Sequence, residues 1–351
     1  MIRYNTDGWE LPHSRAMVVY KLTVAYNGAN YHGFQRQVDN ATVREQRKSS
    51  SSSSAHRSKR QRRHPSLTIQ HVLENVLLDL YPTLDVTDLR VRCAGRTDKG
   101  VHARGQAVAV QLPDTTSSST HDNDDDDEED PRWVLHRALQ SRLPRDISVH
   151  SVTPVAATFC PRHDVVQKEY SYTIKYCCQP PPSSSNPLPA VVMGTPLLRD
   201  ALDPVDQCWY CPWPLVPKEP QFVCQDLCGT HNYRNFCHSS VQNEEDDHRL
   251  TIDSFTYEIT HQRSEPLALV RQGSQGGGGG DDRLVIVTGI FRVRGRKFHR
   301  AMVRKLVGYC VDQARGVETV PSVAAALDGS QLVAIAAAPA SGLCLEYVQY
   351  V

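Results

Sequence analysis

From Gly95 the chain reads Gly95-Arg96-Thr97-Asp98-Lys99-Gly100-Val101-His102-Ala103-Arg104-Gly105, which sets a carboxylate, Asp98, two residues from a guanidinium, Arg96. Glycine lets a backbone turn tightly and lets a ligand come close to it. A carboxylate at a loop tip is ordinarily solvated, and an arginine beside it holds it ionised and oriented. That equips Asp98 as a nucleophile or base. The same residues also compose an ordinary Asp-Lys-Gly turn, and the loop alone leaves both readings open. A second group, Lys168-Glu169-Tyr170-Ser171-Tyr172, follows Arg162 by six residues. Alternation places Tyr170 and Tyr172 on one face of a strand, as a platform for stacked bases requires, and as a core strand equally does. The run Phe291-Arg292-Val293-Arg294-Gly295-Arg296-Lys297-Phe298, continued by Arg300 and Arg304, sets cations beside aromatic rings, a pattern suited to nucleic acid. Cys208, Cys211, Cys224 and Cys228 have the spacing C-x2-C-x12-C-x3-C, close to that of a zinc site. Against zinc, Cys224 and Cys228 fall four apart on an expected helix, where small apolar residues pack, and Cys211 lies in an irregular Cys-Pro-Trp-Pro. The chain has no Gly-rich phosphate loop and no HExxH motif, and Gly276–Gly280 is low complexity.

These groups need elements to hold them. Val18, Tyr20, Leu22, Val24 and Tyr26 alternate as in a half-buried strand. Ile69, Val72, Leu73, Val76, Leu77 and Leu80 follow helical spacing, with Ser66 as N-cap. Strands are expected over 89–94 and 106–112, flanking the Asp98 loop, then a helix near 132–142. Further strands fall near 147–153 and 168–176, a helix near 218–228, and strands near 251–260 and 284–293. A final helix over 299–315 packs Met302, Val303, Leu306, Val307, Cys310 and Ala314. Helices interleaved with strands through short loops argue an α+β fold with mixed or antiparallel sheets.

The chain has 351 residues, with 39 Lys+Arg against 39 Asp+Glu and a mean hydropathy of −0.45. Such numbers describe a soluble chain of about two domains. No apolar run approaches the roughly 20 residues of a membrane span, and Met1–Asp7 lacks the apolar core of a secretion signal. Eleven scattered cysteines, an odd count, point to a reducing compartment. The zero net charge hides a segregation. Five stretches, 47–65, 114–131, 179–190, 241–249 and 272–282, are Ser/Arg-rich, acidic, Pro/Ser-rich, acidic and Gly-rich respectively. They carry too little apolar surface to offset ordering and read as disordered surface loops. Without them the remainder has a surplus of seven positive charges, and residues 283–316 hold nine Lys/Arg against one acid, Asp312. A polyphosphate ligand requires such a face; a solvated helix face fits as well.

Taken in order, these segments resemble the tRNA pseudouridine synthases of the TruA type. The Gly95–Ala103 loop matches that family's signature, and Tyr26–Gln37 its N-terminal strand and turn. Leu143–Ile147, Phe159–Arg162, Lys168–Tyr172, Gly229–Phe236, Met302–Gly308 and Ala338–Leu345 follow its later motifs. Two departures are Ala301, with a histidine displaced to His299, and Cys160 where histidine is common.

The resemblance implies the pseudouridine synthase fold, two α/β subdomains forming a continuous mixed, mostly antiparallel sheet flanked by helices, with a central cleft. It divides the chain into an extension (1–16), an N-terminal subdomain with the catalytic loop (17–150) and a C-terminal subdomain (151–351). It implies isomerisation of uridine to pseudouridine in tRNA, in the anticodon stem-loop, with no cofactor and no metal. Asp98 is then the nucleophile, attacking C1′ of the ribose or C6 of the uracil. Arg96 opens or holds the flipped nucleotide, Tyr170 stacks on the base, and Arg162 contacts substrate. Arg304 pairs with Asp98, and Leu343 floors the uracil. The implied state is a homodimer inside the cell, in nucleus or cytoplasm, with an organelle left open. Lys59-Arg60-Gln61-Arg62-Arg63 reads as an import signal or as a disordered basic loop. Two other readings stand beside it: a tRNA-binding or chaperone protein of the same fold, and a zinc-stabilised interaction protein.

Overall fold

The computed structural model describes residues 16–36, 67–114, 129–178, 207–215, 219–242, 246–266 and 283–351. The stretches 47–65, 179–190 and 272–282, most of 114–131, the centre of 241–249, and Ser66 lie outside the described residues, and the expectations for them with it. The ends of two of these stretches are built into the fold instead. Asp130 accepts from Arg132 N at 2.8 Å and, with Pro131 at the first helical position, caps the helix that follows, while Arg249 opens a strand.

One nine-stranded sheet carries the molecule. In chain order its strands are β1 (Met17–Tyr26), β2 (Arg92–Cys93), β3 (His102–Pro113), β4 (Ile147–Val155), β5 (Val165–Cys177), β6 (Trp209–Tyr210), β9 (Ser254–Pro266), β10 (Arg283–Gly295) and β11 (Leu343–Tyr350); β7 (Gly229–Asn232) and β8 (Arg249–Ile252) form a separate pair. The main order is β4-β1-β3-β11-β5-β10-β9, with β2 on β3 and β6 on β5. All neighbours are antiparallel except β3–β11 and β5–β6. The fold is therefore α+β with a mixed, mostly antiparallel sheet flanked by helices.

The β3–β11 contact is a seam. It is short, pairing Cys344 with His102 and Leu345 with Ala103, and joins strands from opposite ends of the sequence. Gly105 lies against it: a Cβ there would meet Glu346 O at 2.4 Å, so only glycine lets the strands close.

The helices are α1 (Ile69–Leu80), α2 (Val86–Leu89), α3 (Pro131–Arg142), α4 (Glu219–Asp226), α5 (Met302–Ala314) and α6 (Val323–Asp328). Thr68, not Ser66, caps α1, accepting from His71 N at 3.3 Å. Residues 89–94 are not one strand. Asp85 and Asp88 form a capping box that nucleates α2, Arg90 turns the chain at φ 44, and only Arg92–Cys93 pair with β3. In α5 the apolar positions anticipated from spacing are buried, with Met302, Leu306, Val307 and Cys310 fully so. They join one core that runs from Leu22 and Val24 to Phe291 and Leu345.

Candidate active site

Asp98 stands in the connection from β2 into β3, at the seam. The tight turn the residue types suggested does form: Val101 N donates to Asp98 O at 3.2 Å, and Gly100 takes φ +79. A turn explains the backbone but not the surroundings of the carboxylate. Asp98 Oδ2 lies 3.5 Å from Arg304 Nη1, and Asp98 Oδ1 lies 3.6 Å from Arg300 Nε. Both separations exceed the roughly 2.7–2.9 Å of a charge-assisted hydrogen bond. Two cations thus face the carboxylate without occupying its lone pairs, which stay open to a reacting atom as a carboxylate nucleophile requires.

The loop is pinned from below. Lys168 Nζ donates to Ala94 O at 2.7 Å, and Gln106 Nε2 donates to Gly95 O at 2.8 Å. Thr97 Oγ1 and Tyr26 Oη are hydrogen-bonded at 2.9 Å in the interior. From the side, Phe34 N donates to Thr97 O and Gly100 N to Tyr31 O. Ala94, Gly95, Thr97 and Gly100 are thus tied to the scaffold on both sides of Asp98, the kind of preorganisation that a reactive group requires.

Tyr170 comes up beside this loop from β5. It is 8% exposed, packs edge-on against Phe298 with ring centroids 5.3 Å apart, and its hydroxyl lies 3.9 Å from where a Cβ on Gly95 would be. Burial, with the Cys93 and Asp98 charges, raises its phenol well above the usual range, so it is neutral at physiological pH and carries a transferable proton. Tyr172 does not share this role. It is buried, donates to Pro339 O at 2.8 Å and packs against Trp209, so the two-tyrosine platform reduces to one ring. Leu343, buried at the start of β11, is registered against Tyr172 on β5 and brings an apolar side chain to the same region.

Arg96 and Arg162 are exposed, and both charges act on the Cys93 thiol, which places them on the Lys168 side of the site. Burial nevertheless dominates at Cys93 and pushes its thiol up to about 11. The basic run 292–304 is divided in its duties. Arg294 is bonded to Glu169, Arg292 Nε donates to Glu258 at 3.2 Å, and Arg296 Nε donates to Val165 O at 3.0 Å. Arg300 and Arg304 remain for Asp98.

The structure adds two participants, Arg300 and Lys168. Arg300 was visible only as one cation among many. Lys168 sits two residues before Tyr170, so period two already placed it on the tyrosine's face. Burial lowers its amine from the ordinary 10.5 to about 8, with Cys93 opposing and Arg162 adding to the shift. The native state therefore carries a penalty for holding this ammonium below pH 8, a penalty relieved as pH rises from 8 to 10.5. Wild type should gain stability relative to a Lys168→Met variant across that window, by on the order of 2 kcal/mol. Urea midpoints at pH 7.5 and 9.5 check this; a gap that stays constant or narrows contradicts it.

The cysteines do not form the zinc set their spacing allowed. Among the described residues no three His, Cys, Asp or Glu side chains gather as metal ligands. Cys224 packs beside Cys310, Sγ to Sγ 3.9 Å, Phe255 N donates to Cys228 Sγ, and Cys211 hangs on Lys175 O by its backbone N–H. Burial raises the Cys211 and Cys224 thiols, so both stay protonated and packed. Among the described residues no helix is long and apolar enough to cross a membrane.

Comparison with known proteins covers the same segments. A family model described as tRNA pseudouridine synthase matches residues 223–351, which include Arg300, Arg304 and Leu343. Similarity to individual proteins extends over the Asp98 loop as well. The chain is 26% identical to tRNA pseudouridine synthase A 2 of Protochlamydia amoebophila, over 99% of both chains. It is 28% identical to tRNA pseudouridine synthase A of Halalkalibacterium halodurans, over 92% of this chain and 89% of the relative. A further relative of that name, from Thermodesulfovibrio yellowstonii, is 26% identical over 95% of this chain and its own full length. An aspartate loop, a buried tyrosine and a basic helix thus meet at the seam of the sheet, in a chain that is similar along nearly its whole length to tRNA pseudouridine synthases of the TruA type.

Proposed function

We propose that this protein isomerises uridine to pseudouridine in tRNA, within the anticodon stem-loop, with Asp98 as nucleophile. The observation that carries the reading is a carboxylate approached by two guanidinia at 3.5 and 3.6 Å, beside a buried neutral tyrosine.

The target atoms are inaccessible in stacked RNA, so the nucleotide must be turned out of the helix at a cost of a few kcal/mol. Exposed Arg96 and Arg162 flank the loop where phosphates would pass and offset that cost. An Asp98 oxygen then bonds to C1′ as the N1–C1′ bond breaks, or adds to C6 of the uracil ahead of that cleavage. The freed base rotates on Tyr170 and Leu343, and C5 bonds to C1′ as the ester or adduct opens. C5 loses its proton and N1 gains one, which Tyr170 can relay. Substrate and product are isomers, so the reaction closes without a co-reactant, and the reading calls for no cofactor or metal.

The same reading divides the chain near residue 150 into two subdomains meeting in a cleft at the β3–β11 seam. It takes the working form to be a homodimer inside the cell, in nucleus or cytoplasm; sedimentation at twice the 39.3 kDa chain mass checks the dimer. The function is tested by incubating the purified full chain with unmodified tRNA transcripts and mapping pseudouridine. Conversion confined to the anticodon arm is expected. Conversion elsewhere overturns the position, and absence of conversion with tRNA bound supports the chaperone reading instead.

A further inference from the structure

The two cations on Asp98 are not equivalent. Arg304 is fixed: its Nε donates to Ala338 O at 2.7 Å, Ala338 N donates back to Arg304 O at 2.9 Å, and its side chain is 22% exposed. Arg300 is 58% exposed, and the 3.6 Å approach of Nε to Asp98 is the one polar contact its guanidinium makes among the described residues. Its backbone, by contrast, is held. Arg300 O accepts from His238 N at 3.0 Å, and the next residue, Ala301, takes the left-handed conformation at φ 61 to start α5. Arg300 is thus a long, largely exposed cationic side chain on a fixed root, beside the Asp98 carboxylate.

We propose that Arg300 is a phosphate-responsive positioning residue: it rests on Asp98 in the free protein and transfers to a backbone phosphate of the target nucleotide when RNA enters. The inference rests on the reading of Asp98 as the nucleophile. A nucleotide whose C1′ or C6 meets the Asp98 carboxylate necessarily brings its flanking phosphates, a few bonds away, to the mouth where Arg300 lies. A phosphodiester, whose single negative charge is shared over two oxygens, competes well with a carboxylate held at 3.6 Å, because a guanidinium pairs with phosphate through two N–H groups at once. The transfer uncovers Oδ1 of Asp98 for bond formation, while Arg304 stays 3.5 Å from Oδ2. One side chain then couples substrate arrival to exposure of the nucleophile.

The test uses the purified full chain, Arg300→Gln and Arg300→Lys variants, and tRNA already converted by wild type, so that binding is read without turnover. Arg300→Gln should weaken binding about tenfold and flatten the slope of log Kd against log salt by about one, the signature of a lost phosphate contact. In turnover it should raise KM more than it lowers kcat, and Arg300→Lys should recover most of the affinity. An exposed position leaves the thermal midpoint near wild type. Unchanged affinity and salt slope in Arg300→Gln overturn the proposal, whether kcat falls, which assigns Arg300 to Asp98 alone, or stays. Failure of wild type itself to bind or convert tRNA is a different result, and removes the underlying reading of the site.

Discussion

An Asp98→Ala or Asp98→Asn chain should still fold and bind tRNA while its rate of pseudouridine formation drops by about 10⁴-fold or more, the scale on which losing a nucleophile is felt. The turn does not depend on the side chain, since Val101 N bonds to the Asp98 carbonyl. Nor does stability, because the ion pairs are long, at 3.5 and 3.6 Å, and reach solvent; solvent-accessible pairs contribute roughly 0–1 kcal/mol. Removing the carboxylate leaves two guanidinia near one another, a local charge that favours phosphate, so affinity for tRNA should hold or rise. Asparagine is the sharper of the two variants. It preserves shape and hydrogen-bonding capacity and removes only the charge and the nucleophilic oxygen. Single-turnover assays with excess protein separate the chemical step from binding. Conversion by Asp98→Ala within tenfold of wild type would falsify the nucleophile assignment, whereas a dead enzyme that still binds excludes the purely binding role for this site.

The contrast between what the residues announced and what needed coordinates follows from range. The alternation in β1 and the helical spacing in α1 and α5 are local signals, and each element lies within a few residues of its expected bounds. Short capped turns are weaker signals: α2 is one turn of helix, and the Asp85–Asp88 box that builds it was lost inside an apparent strand. The site shows the same division. Asp98 and Tyr170 stand out in their own segments, but Arg300 and Arg304 come about two hundred residues after Asp98. They reach it only because β11 closes against β3 and Ala338 ties α5 to the approach of that strand. No spacing encodes that approach. The basic run misled in another way: half of its cations serve Glu169, Glu258 and backbone carbonyls on the sheet. A count of charges cannot distinguish cations spent on the scaffold from those turned toward a ligand.

Gly33 packs directly on the backbone of the Asp98 loop, and Gly33→Ala should cost activity out of proportion to stability. Its φ is +93, and a Cβ there would stand 2.5 Å from Thr97 O, 3.2 Å from the Asp98 carbonyl carbon and 3.3 Å from Lys99 N. All three are backbone atoms of the Asp98 loop, so no side chain can rotate away; the loop itself must move. Backbone strain of this kind costs about 1–3 kcal/mol, and displacing reacting groups by about 1 Å costs on the order of 100-fold in rate. Gly316→Ala supplies the comparison. Its φ is +67 with nothing within 4 Å of the added carbon, so it bears the conformational strain without pressing on the loop. Gly316→Ala should lose the part of the urea midpoint that backbone strain accounts for, with kcat unchanged, while Gly33→Ala should lose somewhat more in midpoint and about 100-fold in kcat. Equal kcat in the two variants would mean that Tyr31–Phe34 merely packs against the Asp98 loop. A selective loss would show that the first turn of the chain sets the position of a carboxylate more than sixty residues later, through main-chain contact alone.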